Sequence, residues 1–316
     1  MKVIHGIENY QPTGPAVLTM GTFDGVHLGH QKILSKVIHM AKTQNALSVV
    51  LTFFPHPRTV LQGTESVALL DTIEEKTAHL DRLGIDVLII HKFTKAFSRL
   101  PAVEFARDIL HKQLQISNMV IGYDHRFGQN REATVKDLVE FGTLYEFKVD
   151  VIPPQDVAAI TVSSTKIRNA LNSGDIATVN NYLKRPYLIT GSVVKGDQLG
   201  RTIGFPTANL QLNASYKMWP ANGVYWIRST WEEKPYFGMM NIGKRPTVTD
   251  GATTIEVHFF NFNADLYGAL LQVELLAKIR DEKKFDSLEM LQQQLEEDKA
   301  QCEKLQHQQG GNKMQQ

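Results

Sequence analysis

Two histidines three residues apart, His27 and His30, sit in the stretch Gly21-Thr22-Phe23-Asp24-Gly25-Val26-His27-Leu28-Gly29-His30. An apolar run, Ala16 to Met20, precedes it and reads as a buried strand. Ile33, Leu34, Val37, Ile38 and Ala41 follow at helical spacing, so Leu28 to Lys42 is expected as an amphipathic helix. The glycines let the backbone turn tightly and approach a ligand closely. Both imidazoles then lie on one face of a helix start, beside unpaired N–H groups and the positive dipole end. That combination suits phosphate, to which the imidazoles can donate. A metal pair is the other chemistry open to two histidines, but no third ligand stands at a convincing local spacing. Neither familiar glycine-rich phosphate loop is present. The spacing from Gly191 to Gly196 resembles one, but Asp197 stands where the lysine is required.

Other clusters carry chemistry further on. Pro55-His56-Pro57 is an extended loop held by two prolines, directly after Phe53 and Phe54. Asp124 and Arg126 lie in Gly122-Tyr123-Asp124-His125-Arg126-Phe127-Gly128, behind a short apolar strand. Ser163-Ser164-Thr165-Lys166-Ile167-Arg168 combines helix-capping hydroxyls with an arginine fork that matches phosphate. In the second half, Gly204-Phe205-Pro206-Thr207-Ala208-Asn209 is an irregular loop in which Thr207 and Asn209 can face the same way. A hydroxyl and an amide oxygen there suit Mg2+, or simply stabilise a turn. Glu256 alternates with Ile255 and Val257 in a strand-like run, and is either a wet-face residue or a general base.

The elements that must position these groups differ between the two halves. Up to about residue 185, short apolar strands at Ala16–Met20, Ser48–Phe54, Val87–Ile90, Met119–Ile121 and Phe147–Ile152 alternate with helical patterns, one of them opened by Pro101. This predicts a parallel sheet covered on both faces, with ligands beyond the carboxyl ends of its strands. Asp175 can cap a helix through Leu183, and Lys184-Arg185-Pro186 breaks it. Strands then follow at Tyr187–Val194, Val224–Trp231, Tyr236–Ile242, Thr253–Phe260 and Leu270–Ile279 with no helical pattern between them, so an antiparallel barrel or sandwich is expected. A last helix starts at a capping box read as Asp286-Ser287-Leu288-Glu289, with Asp286 as the cap, and Leu288, Leu291, Leu295, Cys302 and Leu305 form its apolar face. The reading is thus residues 1–185 as one domain, 186–306 as a second, and 307–316 as a disordered tail.

Composition excludes several classes. The formal net charge of +1 gives no reason to expect a nucleic-acid partner. The single Cys302 rules out an internal disulfide and a thiolate zinc cage, which points to a reducing compartment. No apolar run approaches a membrane span, and the N-terminus lacks a signal-peptide core, so the expectation is a cytoplasmic protein without membrane partners.

The opening motif resembles the H-x-G-H nucleotidyltransferases. Together with the later clusters it resembles the bacterial bifunctional riboflavin kinase/FMN adenylyltransferase (FAD synthetase) family. Gly-Phe-Pro-Thr-Ala-Asn, Asn241-Ile242-Gly243-Lys244-Arg245-Pro246-Thr247, Ile-Glu-Val-His, and Ile279 to Phe285 follow one another as in its kinase half. The resemblance implies a Rossmann-like nucleotidyltransferase domain joined to a six-stranded kinase barrel with a terminal helix. It implies riboflavin, FMN and ATP as substrates, with Mg2+ as cofactor and Glu256, His27, His30 and Arg168 as catalytic residues. Gly21, Phe23, Asp24, Gly25, Ser163, Ser164, Thr165, Gly204 and Thr207 would meet ATP. Phe54, His56, Pro57, Asp124, Arg126 and Arg280 would meet flavin, and Thr207 and Asn209 would hold the metal. A monomer or weak homo-oligomer is expected. The chain departs from the family at His125, usually an aromatic, and at Ala133, often a glycine. The alternative reading is a single-function nucleotidyltransferase beside a non-catalytic barrel that binds flavin or nucleic acid. Riboflavin and Mg-ATP discriminate, because a carrier yields no FMN.

Overall fold

The computed structural model describes residues 1–62, 67–153, 162–196, 199–244 and 253–313. By contacts the chain divides into two compact units, Met1–Ser164 and Thr165–Gln316.

The first unit is a sheet of six strands in the order β1-β4-β3-β2-β5-β6, comprising β1 (Lys2–His5), β2 (Ala16–Met20), β3 (Leu47–Phe54), β4 (Val87–Lys92), β5 (Asn118–Gly122) and β6 (Lys148–Ile152). Every pairing is parallel. All five residues of β2 are buried, as a central strand covered on both faces requires. Successive side chains alternate: Leu18 and Met20 join a core that includes Phe105, Leu110, Phe127 and Leu138, whereas Val17 packs with Val37 and Ala41 of helix α1 (Leu28–Thr43). Strand order reverses at β2, with β3 on one side and β5 on the other. The crevice beyond the carboxyl end of β2 is therefore the topological switch point.

Among the strands and α-helices described here, β1, the short helix α2 (Pro57–Gln62) and helix α3 (Ile73–Leu83) are absent from the sequence reading. Thr72 caps α3 through a full capping box with Glu75, the S/T-x-x-E signature the sequence displays. The helix opened by Pro101 is recorded as α4 (Ala102–Glu104) running into a π-helical stretch, Phe105–Gln113. The wider winding still buries Phe105, Ala106 and Leu110, so the apolar spacing alone does not reveal it. Helix α5 (Val135–Leu144) completes the unit.

The second unit is a closed antiparallel barrel, in the order β10-β11-β8-β7-β12-β9. Its strands are β7 (Tyr187–Val194), β8 (Ala208–Leu212), β9 (Gly223–Trp231), β10 (Lys234–Lys244), β11 (Thr253–Phe259) and β12 (Leu270–Arg280). The sixth strand, β8, is the one whose two leucines are too few to stand out as a pattern. Helices α6 (Ser164–Ser173) and α7 (Ile176–Leu183) precede the barrel and bond to it. Asn180 Nδ2 donates to Leu275 O at 2.9 Å, its Oδ1 accepts from Tyr187 N at 2.8 Å, and Ala221 N donates to Leu171 O at 2.9 Å. The contact division after Ser164 thus precedes the break that composition suggests near Arg185.

A short helix, α8 (Leu199–Thr202), lies ahead of β8, and the last helix, α9 (Leu288–Lys313), covers one outer face of the barrel. Leu295, Cys302 and Leu305 pack on Val224, Trp226 and Met239. Cys302 is fully buried, which with nearby carboxylates pushes its thiol up to about 12, so it packs as a small apolar group. The cap of α9 is Ser287 rather than Asp286, its Oγ accepting from Met290 N at 3.3 Å. The helix is recorded to Lys313, beyond the start of the tail read from sequence. A helix already nucleated gains one bond per added residue, which even polar glutamines permit.

Candidate active sites

The turn after β2 is built from backbone that few residues adopt. Phe23 and Val26 have φ of 45° and 40°, and Gly25 lies between them at 84°. A branched side chain in the left-handed region is strained, so the surroundings must hold it there. Lys76 of α3 donates its Nζ to Thr22 O at 2.7 Å, and Gln31 Nε2 donates to Val26 O at 2.9 Å. Asp24 Oδ1 accepts from Leu70 N at 2.9 Å, while Asp24 O accepts from Ser164 Oγ at 3.0 Å. Asp24 is 2% exposed, and its carboxylate faces protein. Through these two bonds it braces the turn. Gly21 leaves room for the Phe23 ring, which an added Cβ would meet at 3.2 Å.

His27 is the N-cap residue of α1, with extended backbone and no side-chain cap bond. Its ring stacks on that of His30, centroids 3.7 Å apart at 18°, and Phe23 meets His30 edge-on at 5.2 Å. Gly29 permits the stack: a Cβ there would sit 3.2 Å from His27 Cε1. Burial first, then His27 and Lys76, push the His30 imidazole well below the ordinary histidine range. His30 is therefore kept neutral, and the stacked pair lies at the N-terminus of a sixteen-residue helix, at the switch point of the sheet.

Ser164 opens α6 and is tied to the turn as described. Ser163 and Thr165 flank it and are exposed, and Arg168 lies one turn along α6. Phe54 ends β3 and lines a shallow pocket of about 300 Å3 with His5, Gly6, Glu8, Ile90 and Lys92. Pro57 does not extend the chain; it begins α2, where its missing N–H costs nothing, and His56 Nδ1 accepts from Arg58 N at 3.2 Å. Asp124 and Arg126 are both exposed, beyond the carboxyl end of β5. His125 between them turns inward, lying nearly parallel to Phe127 at 6.3 Å. Ala133, the other departure from the family, pairs with Phe127 in a two-residue bridge that closes this loop.

His125 carries the first prediction. Burial, with Arg131 adding to it and Asp124 opposing, lowers its pKa to about 4. The unfolded chain takes up this proton near the ordinary value of about 6.5, and the folded protein only near 4. Between those values acid favours the unfolded chain, so melting temperature falls as pH drops from 6.5 towards 4. His125→Phe keeps the ring and removes the proton site, and melting curves across that window should show a shallower slope. An unchanged slope would assign the acid sensitivity elsewhere.

In the second unit the barrel register brings the candidate kinase residues together. Glu256 is paired with Asn209 on β8 and with Asn241 on β10, so three polar side chains share one face of three adjacent strands. Ile255 and Val257 alternate with them and are buried. Gly196 is required beside Asn209: a Cβ there would fall 2.0 Å from Asn209 Nδ2. Gly200 likewise lies under the loop, where a Cβ would reach Phe205 O at 2.2 Å and Thr207 Cγ2 at 3.5 Å. Gly204, at φ 83°, completes the turn into Thr207. His258 Nδ1 donates to Pro206 O at 2.8 Å and packs on Phe205, which fixes the loop to β11. A pocket of about 420 Å3 opens beside Asn209, between Lys195, Ser215, Trp219 and Thr254.

Arg280, read from sequence as a flavin contact, lies at the end of β12 and reaches helix α9. Its Nε and Nη2 grip Asp298 of α9 at 2.8 to 3.0 Å, and Nη1 donates to Asp281 O. Asp298 is 2% exposed, so this fork is what fastens α9 beside β12. Arg245, Pro246 and Thr247 of the kinase-like motif lie outside the described residues. Lys76 is the residue that motif reading passes over, and the capping box of α3 is the signal that leads to its helix.

A parallel-sheet unit with a stacked histidine pair at its switch point, followed by a barrel with a carboxylate between two amides, defines a two-domain phosphate-transferring enzyme. The family model for FAD synthetase matches residues 10–166, and that for riboflavin kinase matches residues 183–306. The bifunctional riboflavin kinase/FMN adenylyltransferase of Escherichia coli K12 is 38% identical over 301 residues, covering 94% of this chain and 96% of that protein. The enzyme of the same name from Bacillus subtilis 168 is 36% identical over 312 residues, covering 96% and 97%. A crystal structure from Streptococcus pneumoniae, titled a macrolide-efflux protein, superposes with a TM-score of 0.86 at 31% identity and covers 95% of this chain and 98% of that one. The chain belongs to the bifunctional riboflavin kinase/FMN adenylyltransferase family. It phosphorylates riboflavin to FMN and joins FMN to AMP from ATP, giving FAD and pyrophosphate. Among the described residues no helix is long and apolar enough to cross a membrane.

Proposed function

We propose that the two reactions are carried by the two constellations just described, and that each residue's part follows from its surroundings. The observation that carries this reading is that each unit sets its reactive groups side by side, His27 on His30 and Glu256 opposite Asn209.

In the kinase reaction the terminal hydroxyl of the riboflavin side chain attacks the γ-phosphorus of ATP. Glu256 takes the proton from that hydroxyl, and Asn209 and Asn241 on either side hold its carboxylate in place. Thr207 and Asn209 offer hydroxyl and amide oxygens for Mg2+, with Gly196 and Gly204 giving the loop its room. Among the described residues no group of three or more His, Cys, Asp or Glu side chains could hold a metal. The donor set here therefore suits an ion that takes most of its ligands from phosphate and water. When bound, Mg2+ supplies charge neutralisation for the phosphates.

In the adenylylation the nucleophile is an FMN phosphate oxygen, already ionised, so alignment and charge stabilisation matter more than a base. His27 and His30 donate N–H to phosphate oxygens of ATP, together with the first-turn amides of α1 and the backbone of Gly21, Phe23 and Gly25. Ser163, Ser164, Thr165 and Arg168 take further phosphate oxygens from the start of α6. Phe54, His56, Pro57, Asp124 and Arg126 border the flavin. Near-neutral charge and small-molecule substrates fit a cytoplasmic monomer or weak oligomer without nucleic-acid partners.

Asn209→Ala tests the metal assignment. Riboflavin phosphorylation should require at least about tenfold more Mg2+ for half-maximal rate, with FMN adenylylation unchanged. A Mg2+ titration of both activities reads this directly, and an unaltered kinase requirement removes Asn209 from the metal site.

A further inference from the structure

The first unit holds a lysine that the reaction scheme leaves unused. Lys76 is on α3, far in sequence from the motif, and is only 4% exposed. A buried ammonium loses its hydration and is retained where its donors and charge have a use. Its side chain hydrogen-bonds to the backbone of the turn, from Nζ to Thr22 O at 2.7 Å. Thr22 is also gripped by Thr52 Oγ1, at 3.3 Å. Immediately after it the chain passes through the left-handed Phe23, Gly25 and Val26.

We propose that Lys76 is a positioning residue for FMN adenylylation: its ammonium pins the Thr22 carbonyl, so that the strained turn and the stacked histidines keep one geometry, and its positive charge stands behind the pair that meets phosphate. The proposal rests on the reading of Gly21 to His30 as the adenylylation site. Three observations converge on it. The hydrogen bond goes to the turn itself rather than to α3. The strain in the turn requires outside restraint, because Val26 does not hold a φ of 40° unaided. The charged groups that face Lys76 are Asp24, in the turn, and Asp71, ahead of α3, so it is partly balanced from both elements. Burial outweighs them and lowers the lysine's pKa, and the same ammonium helps to hold His30 neutral. A cation behind the stacked imidazoles adds to the attraction of an anionic triphosphate while His30 stays neutral.

Two substitutions separate the hydrogen bond from the charge. Lys76→Met removes both, and Lys76→Gln keeps a donor while losing the charge. Both should lower kcat/KM for FAD formation from supplied FMN, by about 100-fold for methionine and less for glutamine. Riboflavin phosphorylation in the same preparations should stay within about twofold. A histidine NMR titration, with the His30 resonance assigned by its loss in His30→Ala, should show His30 moving up towards the ordinary range in both variants. The pH profile of FAD formation should move with it.

FAD formation unchanged in both variants overturns the proposal. So does a lowered melting temperature with the His30 titration and pH profile unmoved, which would make Lys76 structural only. If neither variant folds, Lys76→Arg, which keeps donor and charge, decides: FAD formation and the His30 titration close to those of the unmodified protein support the proposal, and FAD formation unchanged while the His30 titration moves up overturns it. His30→Ala keeps the two levels apart. If it too leaves FAD formation intact, the site reading fails; if it abolishes FAD formation while the Lys76 variants do not, only the role of Lys76 fails.

Discussion

Glu256→Gln is expected to lower riboflavin phosphorylation by about three orders of magnitude, while FAD formation from supplied FMN continues at the unmodified rate. Glutamine keeps the length and shape of the side chain and loses only the ability to accept a proton. Ile255 and Val257, which build the barrel interior around it, are untouched, so the fold should not respond. The size of the effect follows from the reaction: an alcohol is a weak nucleophile until its proton leaves, and Glu256 is the carboxylate flanked on both strands by amides that can steady it. The loss should fall on kcat more than on KM, because the proton is transferred only in the transition state. Separating FMN and FAD chromatographically after incubation with riboflavin and ATP, and again with FMN and ATP, measures both reactions. A kinase rate within about tenfold of the unmodified enzyme would mean that the substrate hydroxyl loses its proton elsewhere.

The same residues show how far a sequence can be read. The buried strands of the first unit were legible because parallel strands covered on both faces are continuous apolar runs, and β2, β3 and β5 are of that kind. β1 was not, because it lies at the sheet edge and buries only Ile4. β8 was not, because its role is fixed by register against β7 and β11 rather than by its own composition. Site residues divide in the same way. His27 and His30 could be placed because their geometry is local, a matter of one turn at a helix start. Asp24 and Arg280 were read by type, and type does not reveal their partners within the protein, Leu70 N and Asp298. Lys76 reaches the turn across more than fifty residues of chain, and no local spacing encodes such a contact.

His30→Ala should abolish FAD formation to a comparable degree, by about 100- to 1000-fold in kcat/KM, with FMN still accumulating from riboflavin. Alanine removes the ring that stacks on His27 and meets Phe23, so it takes away one donor and loosens the other. The imidazole is held neutral by burial, by His27 and by Lys76, and a neutral ring still carries one N–H to give to a phosphate oxygen. Because its pKa lies well below the usual range, acidification through about 6.5 should not charge it in the free enzyme. The profile of kcat/KM for FAD formation should accordingly lack a His30 break near that pH, and show one only further into acid. An anionic triphosphate favours the imidazolium, so in the complex the same break, read from kcat, should lie at higher pH than in the free enzyme. Coincident breaks in the two profiles would place the phosphates away from His30. Retention of FAD formation by His30→Ala would do so more directly, and would move the adenylylation site off the N-terminus of α1.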